Sequence, residues 1–282
     1  MKKFLLLLMT CAVAMGLYAQ QPCPGVPTVT DVEGNVYNTV KIGNQCWTKE
    51  NLRTTHFADG NPILSGDLYF AISDTISYYY ESPDSVIPLV ERGLLYNWLA
   101  ANNVCPTGWH LPTNAEWNTM EATQTTYSLT GTGWRGDHAG RLAGGTDWRY
   151  TTSTPDSTPG FSNYTAYNAS GFTAIPAGYR YNSYMESKWA AYFWTATSGG
   201  GTLAWHRKLY YNKIGVYHST QNTAFGLSVR CLRDPGPVIN TGSLLGITTT
   251  SVTCGGEVLD VAEDETIAHL RISGIIICGL WK

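Results

Sequence analysis

Charge is scarce in this chain: 14% of its residues are Asp, Glu, Lys or Arg, and the formal net charge is −3. No run of Lys or Arg interrupts it, so the electrostatic footprint of a nucleic-acid-binding protein is missing. There is no paired CxxC and no Cys/His cluster, which leaves a structural zinc site without support. Nor does any apolar run reach the ~20 residues that a membrane-spanning helix needs.

What is present starts with Lys2 and Lys3, an apolar stretch through Phe4–Leu8 and Ala12–Leu17, and the small residue Ala19. That order predicts a secretory signal peptide over residues 1–20, removed near Ala19–Gln21. A rival reading makes Cys11 a lipid-carrying cysteine. Met9 and Thr10 suit it poorly, and cutting there would strand Ala12–Leu17 as an apolar stub. Export puts the remaining cysteines (Cys23, Cys46, Cys105, Cys231, Cys254 and Cys278) in an oxidising compartment, where an even number favours disulfides. Sequence alone leaves their connectivity open. With 29 Gly, 18 Tyr and 10 Trp, the composition points to a loop-rich, aromatic, extracellular domain. Residues 21–234 suffice for one core, 235–242 read as a Pro/Gly linker, and 243–282 remain as a short tail.

Along the chain, Val29 and Val32, a Glu33-Gly34-Asn35 turn, then Val36, Val40 and Ile42 before Gly43-Asn44 predict an opening β-hairpin. Cys46 and Trp47 are expected in the core. In "ERGLLYNWLAANN" the spacing of Leu94, Leu95, Trp98 and Leu99 predicts one helix. In "CPTGWHLPTNAEW", Pro112 ends an extended Trp109–Leu111 segment. Thr113 with Glu116 forms a capping box, and Trp117 and Met120 face inward one turn apart. Residues 123–170, rich in Gly, Thr, Ser and Pro, read as long ordered loops carrying Trp134 and Trp148. "SGFTAIPAGYRYN" reads as a strand broken at Pro176. "AAYFWTATS", "LAWHRKLYYNKIGVYHS" and "FGLSVRCLRD" read as successive strands of one sheet. Alternation puts Trp205, Arg207, Leu209 and Tyr211 on one face and His206, Lys208 and Tyr210 on the other. Phe225, Leu227, Val229 and Cys231 share a face in the last segment. The tail "LLGITTTSVTCGGEVLD" alternates like the start of a β-sandwich but falls short of the ~100 residues of an immunoglobulin-like domain.

Five blocks, "GNVYNTVKIGNQCWTKENLR", "LLYNWLAANNVCPTGWHLPTNAEW", "GFTAIPAGYR", "FWTATS" and "FGLSVRCLRD", resemble the Fibrobacter succinogenes major paralogous domain over residues 28–234. Two of them are also similar to the formylglycine-generating sulfatase-modifying enzymes, which carry a related "LPT-x-AEW" helix start and "GFRC-RD" finishing strand. The resemblance implies an α+β, C-type-lectin-like architecture: a twisted antiparallel sheet, two helices and long loops. Here it would be followed by a partial β-sandwich resembling a fibronectin-III module. The enzymes' redox cysteine pair does not carry over, because no cysteine lies between Cys105 and Cys231. The calcium motif of sugar-binding lectins is also missing, with "TDW" at 146–148 a fragment at best.

Two disulfides are therefore expected. Cys105–Cys231 would join the helix region to the closing strand, and Cys23–Cys46 flanks the first hairpin. His110 reads as structural because no partner nucleophile is evident, and capping already accounts for Glu116. Arg230 and Arg233 are candidates for a ligand carboxylate, with pairing to Asp234 or solvation the expected outcome. Asp137, His138, Asp147 and Asp156 keep calcium open as a cofactor, although their spacing fits no EF-hand. The late aromatics, Tyr184, Trp205 and Tyr211 among them, lie among Asn, Ser and Gly. Tyr179, Tyr181, Trp189, His206, Lys208, Tyr210 and Tyr217 are the candidate ligand-binding residues. The leading expectation is a secreted or cell-surface, non-catalytic module that binds a glycan or a surface protein. A structural component of a surface appendage or matrix is the alternative, and a formylglycine-generating type of oxidoreductase a more distant one.

Overall fold

The computed structural model describes residues 20–68, 72–83, 86–145, 147–150, 156–235, 238–241 and 256–260. Residues 1–19 of the expected leader, Thr146, Cys254, Cys278 and most of the 243–282 tail lie outside the described residues. The described chain is mostly β, with few and short helices.

The opening hairpin forms as its turns predict. β1 (Thr28–Thr30) pairs antiparallel with β2 (Val36–Ile42), and β2 pairs with β3 (Gln45–Thr48) across Gly43-Asn44. One end of the alternation differs: Val36 is exposed and Tyr37 is fully buried. The Tyr37 hydroxyl donates to Asp31 Oδ2 at 2.7 Å, which draws the ring inward.

The next region departs from the predicted single helix. β4 (Leu64–Ser65) lies parallel to β5 (Tyr78–Tyr80). There follow α1 (Leu89–Arg92), β6 (Leu95–Tyr96), which pairs with β5, and α2 (Trp98–Ala101). Gly93 ends α1 at φ 68°, and a Cβ there would sit 2.5 Å from Asn51 Cβ. Beyond it the backbone turns to distant partners: Leu94 N–H donates to Leu52 O, and Tyr96 exchanges both of its bonds with Leu227. Asn97 then restarts the helix by accepting from the Ala100 amide. Leu94 and Leu95 are buried, whereas Leu99 is exposed. Long-range pairing has overridden local helical spacing.

β7 (Trp109–His110) leads into α3 (Asn114–Ala122), where the Thr113–Glu116 capping box is present and Trp117 and Met120 are completely buried. α3 is the longest helix among the described residues; two helices were expected and four helical segments form, three of them single turns. The described residues between 123 and 170 are largely irregular, as composition predicts, apart from β8 (Gly133–Arg135) and α4 (Ala139–Leu142). The predicted broken strand around Pro176 reduces to β9 (Tyr179–Arg180), paired with β10 (Tyr184–Met185). Then come β11 (Ala190–Gly200), β12 (Leu203–Tyr210), β13 (Val216–Asn222) and β14 (Leu232–Arg233).

Two larger sheets result, ordered β1-β2-β3-β14-β7 and β11-β12-β13-β8. "FGLSVRCLRD" was expected in the sheet of β11–β13, but Leu232 pairs with Trp47 in the other one. Its first half crosses between them, bridging Arg180 through Gly226, Tyr96 through Leu227 and Phe193 through Ser228. From Arg233 onward a second unit begins, in which β15 (Val238–Thr241) pairs antiparallel with β16 (Gly256–Asp260).

The period-2 geometry of β11 divides the core. Ala190, Tyr192 and Trp194 enter a cluster with Tyr37, Leu227 and Val229, while Ala191 and Phe193 enter another with Trp47, Trp117 and Phe172. In the second, Trp47–Trp117, Trp117–Phe172 and Phe172–Phe193 lie 5.1, 5.4 and 5.4 Å apart at edge-on angles, the arrangement ring quadrupoles favour. Arg230 was expected to be solvated or paired locally, yet it is buried. Its guanidinium donates to the carbonyls of Thr48, Lys49, Phe172 and Thr173 and to Asn51 Oδ1, at 2.5 to 3.1 Å. Burial lowers its pKa to about 9, so it keeps its charge at neutral pH and ties β3 to the 172–173 loop. Arg233 is exposed, as expected.

Candidate functional site

The sheet β11-β12-β13-β8 lines up four side chains across four strands. Tyr192 is registered with Lys208, Lys208 with Tyr217, and Tyr217 with Trp134. At ~4.8 Å per strand, such a row extends ~14 Å. Its side chains meet in two pairs: Lys208 Nζ lies 4.8 Å from the Tyr192 ring centre, and Tyr217 and Trp134 lie 5.1 Å apart. His206 connects them from below, 6.0 Å from Tyr192 and 6.3 Å from Tyr217. Tyr192 and His206 are buried and form the floor, Lys208 and Tyr217 are half-buried, and Trp134 is 42% exposed.

On one flank, Tyr181 stacks on Phe225 at 4.3 Å, Phe225 on Tyr179 at 5.6 Å, and Tyr179 meets Tyr192 edge-on at 5.1 Å. On the other, Trp189, Tyr210 and Tyr211 form a triangle with sides between 5.1 and 6.3 Å, and the Arg149 guanidinium covers Trp189 at 3.9 Å. The 186–188 turn places a carboxylate on this face. Glu186 and Lys188 both hold positive φ, 58° and 67°, and Glu186 Oε2 accepts from the Tyr192 hydroxyl at 2.6 Å and pairs with Lys208 at 3.0 Å. This turn packs on Gly178 (φ 71°), where a Cβ would stand 2.1 Å from Met185 O. Only glycine fits there.

The electrostatics decide which groups carry charge. Burial, then the Glu186 carboxylate, pushes the Tyr192 phenol far up, so it acts as a fixed donor. Burial, then the charges of Arg207 and Lys208, pulls His206 down to about 3. It was expected on the surface. Instead it is a neutral, buried ring, because Tyr192 and Tyr217 close over it. The cations here are Arg149, Lys208 and Lys213, the last 5.8 Å from the centre of the Trp134 ring.

All seven predicted ligand-binding residues thus fall on one contiguous surface, Tyr179, Tyr181, Trp189, Lys208, Tyr210 and Tyr217 at its open part and His206 beneath. The sequence reading did not include Tyr192, Phe225, Glu186, Arg149 or Trp134 among the candidates, although all five lie on this surface. Two other late aromatics go elsewhere. Trp205 stacks on His218 at 4.3 Å on the opposite face, and the Tyr184 hydroxyl donates to Asp67 at 2.5 Å.

The opposite face carries a buried ionic cluster. Glu121, on α3, is hydrogen-bonded by Arg207 Nε and by Arg135 at 2.9 Å, with His138 3.6 Å away. Burial alone would raise its pKa, but His138, Arg207 and Arg135 outweigh that and hold it at about 2. His110, near the start of α3, lies 3.0 Å from Glu116, whose other oxygen accepts from Thr113 N and Oγ1 at 2.7 and 2.8 Å. Against burial, His110 and Thr113 lower Glu116 to about 2, so both residues serve the helix start as expected. Of the four residues considered for calcium, Asp137 accepts from the Thr125 hydroxyl and His138 belongs to the Glu121 cluster. Among the described residues, no three His, Cys, Asp or Glu side chains gather as a metal-binding group.

Both expected disulfides are present, Cys23–Cys46 and Cys105–Cys231, with Cα atoms 5.5 and 5.8 Å apart. No described helix is long and apolar enough to cross a membrane. An open cleft of about 640 Å³ lies elsewhere, among β4, β5 and α1, with Asp67, Glu81 and Arg92 in its wall.

Residues 40–233 match the family model of the Fibrobacter succinogenes major domain. No curated protein and no solved structure matches the chain. The family model spans most of the chain and contains every strand of the β11-β12-β13-β8 sheet: the chain belongs to the Fibrobacter succinogenes major domain family.

Proposed function

We propose that the 21–234 domain is a non-catalytic binding module, exported to the cell surface or beyond, which takes a glycan on the aromatic face of β11-β12-β13-β8. The observation that carries this reading is the cross-strand row of Tyr192, Lys208, Tyr217 and Trp134, which starts on the buried Tyr192 and opens to solvent at Trp134. Flat rings beside hydrogen-bonding groups suit the apolar C–H faces and hydroxyl edges of sugars. Export is supported by the two disulfides, which persist in oxidising compartments. The same bonds tie up all four cysteines of the domain, which favours binding over thiol chemistry. Curled antiparallel sheets joined by long loops are in keeping with a C-type-lectin-like architecture, and the β15–β16 pair with the start of a fibronectin-III-like tail.

The test is a glycan array probed with the full chain and with Trp134→Ala and Tyr217→Ala variants. The expected result is a defined set of bound glycans, with at least ~10-fold weaker binding in each variant at an unchanged melting temperature. No glycan bound, together with co-purification of a fibre subunit, would replace this reading with a structural role.

A further inference from the structure

The aromatic face is also a cationic one. Arg149 stacks 3.9 Å over Trp189, Lys208 lies 4.6 Å over Tyr210, and Lys213 lies 5.8 Å from Trp134, so each of these three rings has a positive group beside it. Lys188 follows along the same edge, its carbonyl accepting from the Arg149 amide at 2.7 Å. Against these stands Glu186, already engaged by Lys208 and Tyr192. Among the described residues, neither Arg149 nor Lys213 has a carboxylate partner, and both are exposed. The whole chain is negative, at −3, so this concentration of positive charge is local.

A neutral sugar chain would use the rings and leave these cations to water. A sugar bearing an anionic group would stack on a ring and place its charge against the neighbouring cation, where charge-assisted hydrogen bonds are about twice as strong as neutral ones. Arg149 presents the forked donor geometry that matches a carboxylate or sulfate. We propose that this face selects anionic polysaccharides, with Trp134 and Tyr210 stacking on sugar rings and the unpaired Lys213 and Arg149 meeting their acidic substituents. The inference rests on the glycan-binding reading above.

The experiment titrates the full chain, by calorimetry at low salt, with two matched pairs: polygalacturonate against its methyl ester, and dextran sulfate against dextran. The expected result is binding to an anionic member at least ~10-fold tighter than to its neutral counterpart. That binding should weaken steeply toward ~1 M salt, where the screening length falls to ~3 Å. An Arg149→Gln/Lys213→Gln variant should lose most of this preference while melting as the parent does. Equal affinity within both pairs overturns the charge selection and leaves the glycan reading standing. Failure of all four polymers together with a blank glycan array removes both. Poly-glutamate binding as tightly as polygalacturonate overturns the polysaccharide assignment, because charge alone would then explain the effect.

Discussion

At the residue scale, the strongest commitments are charges placed where water is not. Glu121 is completely buried between Arg207 and Arg135, so each member is tolerable only while the others remain. Removing one charge from such a group leaves the rest uncompensated, and Glu121→Gln is expected to lower stability at pH 7 by ~3–5 kcal/mol in urea denaturation. Acid should reach the same group. The folded pKa of Glu121, about 2, lies below its ordinary 4.5, so its stabilisation is full above pH ~4.5 and is lost as pH falls toward 2. Glu116 follows the same sign, at about 2. Stability of the parent should therefore decline across that window, and the decline should be shallower in Glu121→Gln. An identical pH profile in both proteins would rule out this assignment.

At the scale of elements, local signals were legible and long-range ones were not. The Thr113–Glu116 capping box depends on residues three apart, so sequence could specify it completely. The Leu94–Leu99 stretch failed because Gly93 breaks the helix to approach Asn51, and Leu227 then claims Tyr96 as a strand partner. Neither Asn51 nor Leu227 is visible from within that segment. The candidate site divides in the same way. Alternation identified Lys208 and Tyr210 as facing together, but the registration of Trp134 with Tyr217 depends on pairing across some eighty residues of chain. His206 was misplaced because the rings that cover it come from two other strands. Gly178 is where this non-local order is most exposed to test. A Cβ there meets Met185 O at 2.1 Å and forces a residue at φ 71°, so Gly178→Ala must push the 186–188 turn outward. Its expected cost is ~1–3 kcal/mol. Glycan affinity should fall with it, because Glu186 and Trp189 leave their places. Parent-like binding by a folded Gly178→Ala protein would mean that the turn plays no part in the site.

At the scale of the whole domain, the two disulfides do unequal work. Cys23–Cys46 closes a loop of 23 residues around the first hairpin, whereas Cys105–Cys231 closes one of 126. In the chain-entropy account, restricting the unfolded ensemble is worth about 3 kcal/mol for the shorter loop and about 5 kcal/mol for the longer. The longer loop also contains α3, the complete β11-β12-β13-β8 sheet and every residue of the aromatic face from Trp134 to Phe225. Its two ends lie just before β7 and β14, neighbouring strands of the first sheet, so this bond fixes where the chain leaves that sheet to build the second and where it returns. Replacing both Cys105 and Cys231 with serine should therefore cost more stability than replacing both Cys23 and Cys46, by roughly 1–2 kcal/mol. Urea denaturation of the two variants under the same non-reducing conditions measures the difference. Glycan binding well below the unfolding transition should survive loss of the short bridge better than loss of the long one, since only the latter frees the ends of the segment that carries the site. Equal destabilisation, or the reverse order, would mean that native packing rather than loop closure sets the contribution of each bond.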